Sequence, residues 1–332
     1  MNRVGIVGVT GFMGAELARL IIPHPHFELT MACAGSSAGQ KLADLRPGFG
    51  ALGDLLVAES DPAKLAENCD LVFLALPHGK SAEIAAALLQ LGVKVIDLGS
   101  DFRVKDRTVS EALYKRPAPS QELLDQAEYC LPEITGAPSK DTKLIAAPGC
   151  FATALTFLLS GWPDEQATVF GVTGSSGSGI EPSAGVHHSL RTTNFTAYKP
   201  LQHQHIGEVS QTLSNLGKDI EIDFVPHSAP MVRGIHLTAV CNRPVEELET
   251  NYAPLKRHPL VTIQRGVIPM GAVIGTCRVL IGLAPNPDNT KTTVCVAIDN
   301  LLKGGSGQAL QIANLLYDLP ETAGLPLIGQ WP

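Results

Sequence analysis

The chain has 332 residues, of which 45% are hydrophobic and 17% charged, and its formal net charge is -7 at pH 7. This composition excludes a disordered chain, and the acidic balance argues against nucleic acid or an anionic membrane as a general partner. No stretch approaches the ~18 uninterrupted apolar residues of a membrane helix, and the chain enters a strand pattern at Val4 without a basic and apolar leader. We therefore expect a cytoplasmic protein that acts on a small molecule, and the length predicts two domains.

The first part of the chain alternates short aliphatic runs with helical patterns. A helix is predicted from about residue 14 to 22, and the predicted strands are residues 4–7, 29–34, 71–76 and 93–98. This alternation is typical of α/β proteins with a Rossmann-type, doubly wound parallel sheet. We predict a nucleotide-binding domain over residues 1–148.

The second part of the chain has longer strands with alternating patterns and fewer helices. The predicted strands are residues 167–172, 220–225, 233–241, 277–283 and 292–298. They predict an α+β catalytic domain with a mostly antiparallel sheet over residues 149–306, which would carry the substrate site and the oligomer interface. A helix predicted from about residue 307 begins a final segment, to residue 332, that we expect to return to the first domain.

A glycine-rich loop, Gly8-Val-Thr-Gly-Phe-Met-Gly14, follows the first strand and opens the first helix. Glycines at such a turn let a pyrophosphate approach the backbone, so the loop predicts dinucleotide binding. No acidic residue stands about twenty positions later, where an NAD site usually has one. Ser36, Ser37 and Lys41 stand there instead, which favours NADP unless the two serines merely form a turn.

The chain has seven cysteines with no close pair, a pattern that matches neither a disulfide framework nor a zinc cluster. Only Cys150 has an unusual context, because Pro148 and Gly149 end a strand-like run and an apolar helical pattern begins at the cysteine. A helix N-terminus stabilises a thiolate over a thiol. Cys150 is therefore a candidate nucleophile.

Polar residues of the second part could serve this thiol. His203 and His205 alternate on what we expect to be an extended segment, so that their rings point the same way, and Glu208 could orient one of them. A metal would need a third ligand, for which His227 or Glu208 is available, but we expect no metal. Arg233 could clamp a carboxylate or phosphate, and residues 175–179 could present N–H groups to an oxyanion.

In their order, these motifs resemble the N-acetyl-gamma-glutamyl-phosphate reductases of the aspartate-semialdehyde-dehydrogenase superfamily. The likeness covers nearly the whole chain. The segments that carry it are residues 8–14, 75–79 with Ser81, 97–103, 129–133, 148–150 with Thr153, 174–179, Tyr198 with His203, His205 and Glu208, 224–234, and 299–304 with Gly307 and Gln308.

The resemblance implies NADPH-dependent reduction of N-acetyl-L-glutamyl 5-phosphate to its semialdehyde, with phosphate release, in arginine biosynthesis. It implies a thioester on Cys150, His205 as acid and base, and a homo-oligomer, either a dimer or a tetramer. The implied substrate contacts are His203, Glu208, Arg233 and Arg103. The implied cofactor contacts are Gly8, Thr10, Gly11, Phe12, Met13, Gly14, Ser36, Ser37, Pro77, Ser178 and Asn300.

The sequence departs from the family pattern at three places. Ala147 and Cys277 stand where the family usually has asparagine, and Ile206-Gly207 replaces Thr-Pro. Three alternatives stay open: a reductase of carrier-linked aminoacyl phosphates in lysine biosynthesis, an aspartate-semialdehyde dehydrogenase, and an NADP-sensing regulator without enzymatic activity.

Overall fold

The computed structural model describes residues 1–329, without the side chains of residues 51 and 52. Contacts between residues divide the described chain into two units, the first formed by residues 1–148 and 305–325 and the second by residues 149–304 and 326–329. The sequence predicts that the whole final segment returns to the first unit. Residues 326–329 instead group with the second, where the Cys277 N–H donates to the Pro326 carbonyl over 2.8 Å.

The strands in chain order are β1 (Asn2–Val7), β2 (Phe27–Cys33), β3 (Val57–Ala58), β4 (Leu71–Leu74), β5 (Lys94–Asp97), β6 (Ala127–Tyr129), β7 (Leu144–Ala146), β8 (Gln166–Thr173), β9 (Thr196–Ala197), β10 (Glu221–Ser228), β11 (Ile235–Cys241), β12 (Val261–Arg265), β13 (Val279–Pro285) and β14 (Thr292–Ile298). The first seven strands lie in the first unit and the others in the second.

The α-helices in chain order are α1 (Phe12–Ile21), α2 (Leu42–Leu45), α3 (Pro62–Asn68), α4 (Ala82–Gln90), α5 (Arg107–Tyr114), α6 (Gln121–Gln126), α7 (Pro132–Thr135), α8 (Cys150–Ser160), α9 (His188–Arg191), α10 (His205–Asn215), α11 (Val245–Tyr252) and α12 (Gly307–Leu316). Helices α1 to α7 and α12 belong to the first unit.

The described part of the first unit has one parallel sheet with the strand order β3-β2-β1-β4-β5-β7-β6. Every residue of β4 is buried, as expected for a parallel strand with both faces covered. The order reverses between β1 and β4, and ligands of open α/β sheets bind at the carboxyl ends of the strands at such a point. The predicted Rossmann-type sheet is confirmed.

The described strands of the second unit form a sheet in the order β12-β13-β14-β11-β8-β10-β9. The pairs β8–β10 and β12–β13 are parallel and the other neighbours antiparallel, so the predicted mostly antiparallel sheet is confirmed. Residues of β8 alternate between buried and exposed, with Val169 buried and Phe170 exposed. The buried face packs against α8, which is buried along nearly its whole length. Over residues 1–329, no helix is long and apolar enough to cross a membrane.

A buried carboxylate ends β5 near the switch point of the first sheet. Asp97 is fully buried, and its Oδ1 accepts the Gly99 N–H over 3.0 Å. Burial raises the pKa of Asp97 to about 6, because the ionised form loses its hydration. Since an unfolded aspartate has a pKa of about 3.9, ionisation of Asp97 weakens the fold as pH rises from about 4 to 6.

We expect Asp97→Asn to gain stability over the wild type as pH rises from 4.5 to 7.5, by about 1–3 kcal/mol, because asparagine cannot ionise and keeps an acceptor for Gly99. Guanidinium unfolding followed by circular dichroism at both pH values measures this difference. Asp44→Asn, at an exposed carboxylate, serves as the control. An unfolding free-energy difference between Asp97→Asn and wild type that is equal at both pH values would contradict the prediction.

Candidate active site

Cys150 is the first residue of α8, as the sequence predicted, and the preceding Gly149 is the helix N-cap. Its thiol is half-buried, whereas the six other cysteines are buried. Since α8 lies in the core, its N-terminus is held in place by packing along the whole helix. The amides of that terminus direct a partial positive charge toward the thiol.

The Glu208 carboxylate binds the N-cap residue of this helix. Its Oε2 accepts the Gly149 N–H over 2.9 Å, and its Oε1 lies 3.8 Å from Nε2 of His205. The side chain is fully buried. Glu208 therefore joins the start of α8 to the predicted acid and base, while its negative charge opposes the effect of the helix amides on the thiolate.

The two histidines do not lie on an extended segment, and that prediction is wrong. His205 begins α10, His203 precedes the helix, and their rings meet edge to face with centroids 4.7 Å apart. The backbone favours a helix start here because the apolar residues that follow recur at helical spacing, with Val209 and Leu213 buried. The rings are neighbours through this turn rather than through strand alternation.

The His203 side chain is uncharged and forms one side of the site. The backbone N–H of His205 donates to Nδ1 of His203 over 3.3 Å, so the His203 ring carries its hydrogen on Nε2. The ring is buried among Phe151, Phe224 and Tyr198, with centroids 5.4, 5.6 and 6.0 Å away. Burial, helped by the charges of nearby His205 and Lys199, lowers the pKa of His203 to about 2. His203 is therefore unsuited to proton transfer near neutral pH, and His205 remains the predicted acid and base.

Tyr198 lies beside these groups, although the sequence predicts no role for it. Burial raises the pKa of its hydroxyl well above the usual range, and the negative charge of Cys150 raises it further. The hydroxyl stays protonated, so Tyr198 adds a neutral polar group within electrostatic reach of the thiol. Only its place in the family-like motif could have pointed to it.

Arg233 faces a carboxylate of its own unit. Its Nη1 lies 3.4 Å from Oδ2 of Asp299, a buried residue that also accepts the N–H groups of Gly275 and Leu301 over 2.8 Å. The charge of Arg233 is thus partly balanced within the protein. Its predicted contact with substrate stays a prediction.

Asn300 uses both ends of its amide within the second unit. Its Oδ1 accepts the Gly234 N–H over 2.7 Å, and its Nδ2 donates to Oγ of Ser176 over 2.9 Å. Asn300 thereby fixes the turn Ser175–Ser178, whose last residue, Ser178, is exposed. Both residues remain predicted cofactor contacts, and the role that the structure shows for Asn300 is to shape this turn.

Arg103 is buried in the first unit and binds main-chain carbonyls. Its Nε donates to Ala147 over 2.9 Å and its Nη2 donates to Leu98 over 2.7 Å. The Ala147 N–H in turn donates to the Asp97 carbonyl over 2.9 Å. These bonds hold the segment that leads into Pro148, and a substrate contact of Arg103 stays a prediction.

The glycine-rich loop lies at the switch point of the first sheet. Gly8 has a φ of 91°, and a Cβ there would lie 2.3 Å from the Ala75 carbonyl oxygen, so only glycine fits between the two strand ends. Gly11 is the N-cap of α1, whose first turn carries no acidic residue. A pyrophosphate could accept the N–H groups of this helix start. Thr10, Phe12, Met13 and buried Gly14 complete the predicted loop, and exposed Pro77 follows the neighbouring strand β4.

The predicted 2′-phosphate region lies after β2. Ser36 is exposed and Ser37 half-buried in the short turn Gly35–Ser37. Lys41 pairs with Asp54 over 2.6 Å at the surface. A second cation, outside the predicted site residues, is Arg46, whose Nη2 donates to the Thr10 carbonyl of the loop. No sequence spacing links it to the loop.

Across residues 1–329 the structure contains no group of three or more histidine, cysteine, aspartate or glutamate side chains arranged to hold a metal ion. The site gathers a thiol, two histidines, a carboxylate and a tyrosine. Such a set is suited to covalent catalysis by a thiolate with a nearby proton carrier.

Residues 3–142 match the family described as semialdehyde dehydrogenase, NAD binding domain, and residues 150–300 match semialdehyde dehydrogenase, dimerisation domain. Among solved structures, aspartate semialdehyde dehydrogenase II from Vibrio cholerae aligns with a TM-score of 0.71 at 16% identity, over 96% of this chain and 98% of that one. The NADP complex of the Candida albicans enzyme aligns with a TM-score of 0.66 at 17% identity, over 96% and 98%. These structural matches show the fold, and the family matches define the class as a semialdehyde dehydrogenase.

Curated relatives narrow the class. A protein named N-acetyl-gamma-glutamyl-phosphate reductase from Desulforudis audaxviator is 39% identical over 100% of both chains. One of the same name from Symbiobacterium thermophilum is 38% identical over 97% of each chain. The chain belongs to the N-acetyl-gamma-glutamyl-phosphate reductase family.

The backbone at Gly304 passes directly against the candidate nucleophile. A Cβ at this position would lie 2.8 Å from the Cβ of Cys150, too close for any real contact. We expect Gly304→Ala to displace Cys150. Both the rate at which iodoacetamide alkylates Cys150 and the turnover should fall by about 10-fold or more, because a shift of about 1 Å at a reacting atom has such effects. Peptide mass spectrometry of the alkylated protein measures the rate.

Gly271→Ala is the matched control, because nothing lies within 4 Å of a Cβ at Gly271 in the same unit. The control should react like wild type. If both variants alkylate Cys150 at the wild-type rate, the close approach at Gly304 has no bearing on the thiol.

Proposed function

We propose that this protein reduces N-acetyl-L-glutamyl 5-phosphate to N-acetyl-L-glutamate 5-semialdehyde and releases phosphate, a step of arginine biosynthesis. The observation that carries the proposal is the Cys150 thiol at the start of buried helix α8, with Glu208 and His205 at the same helix terminus. The activity named for the full-length relatives supports the choice of acyl group.

The first step is attack by the Cys150 thiolate on the acyl carbon. The sulfur–carbon bond forms, the carbon–oxygen bond to phosphate breaks with its electron pair on the phosphate oxygen, and a thioester remains on Cys150. Amides at the α8 N-terminus stabilise the oxyanion of the tetrahedral intermediate, a contribution commonly worth ~3 kcal/mol per donor. That terminus thus acts on both the nucleophile and the transition state.

His205 carries the proton in this scheme. It accepts the thiol proton as the thiolate forms, it donates a proton to the oxygen as the thioester is reduced to the hemithioacetal, and it takes that proton back when the hemithioacetal collapses to aldehyde and thiolate. Glu208, 3.8 Å from Nε2 of His205, stabilises the protonated ring. His203 stays neutral and, with Phe151, excludes water from one side of the thioester.

The cofactor in this proposal is NADP(H). When bound, its nicotinamide supplies the hydride that reduces the thioester. Gly8 and Gly11 of the loop fit a pyrophosphate, because one closes the turn without a side chain and the other begins α1. Ser36 and Ser37 would hold the 2′-phosphate.

We also propose a homo-oligomer, either a dimer or a tetramer, that forms through the second unit. The match to a dimerisation domain supports this. The exposed face of β8 and β11 presents Phe170 and Val240, which are 51% and 57% exposed, and Phe195 at 57% lies stacked on His227 nearby. Exposed aromatic and aliphatic side chains on one sheet face are typical of an interface between subunits.

We expect Cys150→Ser to fold and to bind NADPH while losing essentially all turnover, because a serine hydroxyl is not activated by a helix terminus at neutral pH. The assay runs in reverse, with N-acetylglutamate semialdehyde, NADP and phosphate, and follows NADPH absorbance. Wild-type turnover in the variant would refute the covalent mechanism.

The same assay tests the acyl group. Activity confined to a carrier-linked aminoacyl semialdehyde, or to aspartate semialdehyde, would contradict the proposed substrate. Cofactor binding without any phosphate-dependent reaction would indicate a regulator instead of an enzyme.

We expect kcat/KM to be at least about 10-fold higher with NADPH than with NADH. Ser36→Asp should lower the value for NADPH by a similar factor, because the new carboxylate would repel the 2′-phosphate at an exposed site. The exposed Ser183→Asp serves as a control for added charge. Equal kinetics with the two cofactors in wild type would contradict the assignment of Ser36 and Ser37.

A further inference from the structure

The second unit contains a buried arginine that is not among the predicted site residues. Arg191 ends helix α9 and is 9% exposed. Its Nε donates to the Ala229 carbonyl over 2.9 Å, and its Nη2 donates to the Thr173 carbonyl over 3.2 Å. Two bonds on one edge fix the plane of the guanidinium and leave three of its five N–H groups for another partner.

No carboxylate in the described residues balances the charge of Arg191. Its hydrogen bonds are those to the two carbonyls, and no aspartate or glutamate side chain is among the groups that act on its pKa, which burial lowers and Tyr198 partly restores. Burying a cation without a counter-ion is costly. Arg233 in the same unit has such a counter-ion, because it faces the buried carboxylate of Asp299.

The position of Arg191 relates it to the candidate nucleophile. Thr173 ends β8 and Ala229 directly follows β10, so the guanidinium lies at the carboxyl ends of this parallel pair. Tyr198 is within electrostatic reach of Arg191, and its ring lies 6.0 Å from that of His203, which in turn lies 5.4 Å from the ring of Phe151, the residue after Cys150. The uncompensated cation is therefore part of the same cluster as the thiol.

We propose that Arg191 binds the phosphoryl group of the acyl-phosphate substrate and stabilises the departing phosphate. As the sulfur–carbon bond to Cys150 forms, the carbon–oxygen bond breaks and its electron pair adds negative charge to the phosphate, which the guanidinium neutralises without giving up a proton. A planar fork with free N–H groups suits the two oxygens of a phosphate. The inference rests on the proposed acyl-phosphate chemistry but not on the identity of the acyl group.

The experiment measures protection of Cys150 by inorganic phosphate. NADP-loaded protein is alkylated with iodoacetamide at increasing phosphate concentrations, and Cys150 modification is read by peptide mass spectrometry. We expect phosphate to protect the wild type, and Arg191→Gln to raise the half-protecting concentration by at least about 10-fold. Arg191→Lys should be intermediate, since it keeps the charge and loses the fork.

Arg278→Gln is the matched control, because Arg278 is a partly buried arginine of the same unit that donates to the neutral Oγ1 of Thr262 over 2.9 Å. Phosphate should protect Cys150 in Arg278→Gln as well as it does in wild type. Unchanged protection in folded Arg191→Gln, or no protection of wild type, would overturn the proposal. N-acetyl-L-glutamate is tested as a second protecting ligand. If Arg191→Gln loses protection by N-acetyl-L-glutamate but keeps protection by phosphate, Arg191 binds the substrate carboxylate, and the proposal is also overturned.

Two further measurements distinguish a folding defect from loss of phosphate binding, and this proposal from the proposed substrate. If Arg191→Gln fails to fold by circular dichroism, the lysine variant decides, and phosphate protection equal to wild type in that variant counts against the proposal. Failure of the reverse assay with the N-acetylated semialdehyde would refute the proposed substrate while leaving phosphate protection, and hence this inference, intact.

Discussion

The hydrogen bond between the Glu208 carboxylate and the Gly149 N–H is the contact on which the candidate active site depends. It attaches α10 to the start of α8, and so one buried group positions both Cys150 and His205. A buried carboxylate is stable only when its charge is compensated. Here the helix terminus, the Gly149 amide and the adjacent imidazole provide that compensation, and the candidate nucleophile and the predicted proton carrier both lie at helix starts.

Local patterns predicted the fold well, because they record which face of each element is buried. Strand β14 was predicted at its observed bounds, and the start of α8 at Cys150 follows from a proline and a glycine before an apolar run. The parallel character of the first sheet and the mostly antiparallel character of the second were also predicted. Their strand order was beyond the sequence, since it depends on contacts between segments far apart in the chain.

The site was predicted in its residue types more than in its contacts. His203 and His205 were correctly paired, but alternation was the wrong reason, because the apolar residues after His205 impose a helix. Ion pairs and carbonyl contacts that join distant segments leave no local signal. Arg233 meets Asp299 across 66 positions and Arg191 meets Ala229 across 38, so the sequence could not show which arginine has a counter-ion.

The distribution of charge in the second unit fits the release of an anion. Glu208 is the buried acidic group at the candidate nucleophile, and His203 and Tyr198 are held neutral by burial. Neutral, largely buried surroundings lower the local dielectric response, so the one uncompensated guanidinium of this cluster of described residues acts more strongly on a developing charge than it would in water. The same burial makes Arg191 costly without an anionic partner. Binding an anionic substrate relieves that cost, and leaving-group charge that grows during thioester formation is stabilised further, which favours the transition state over the bound ground state.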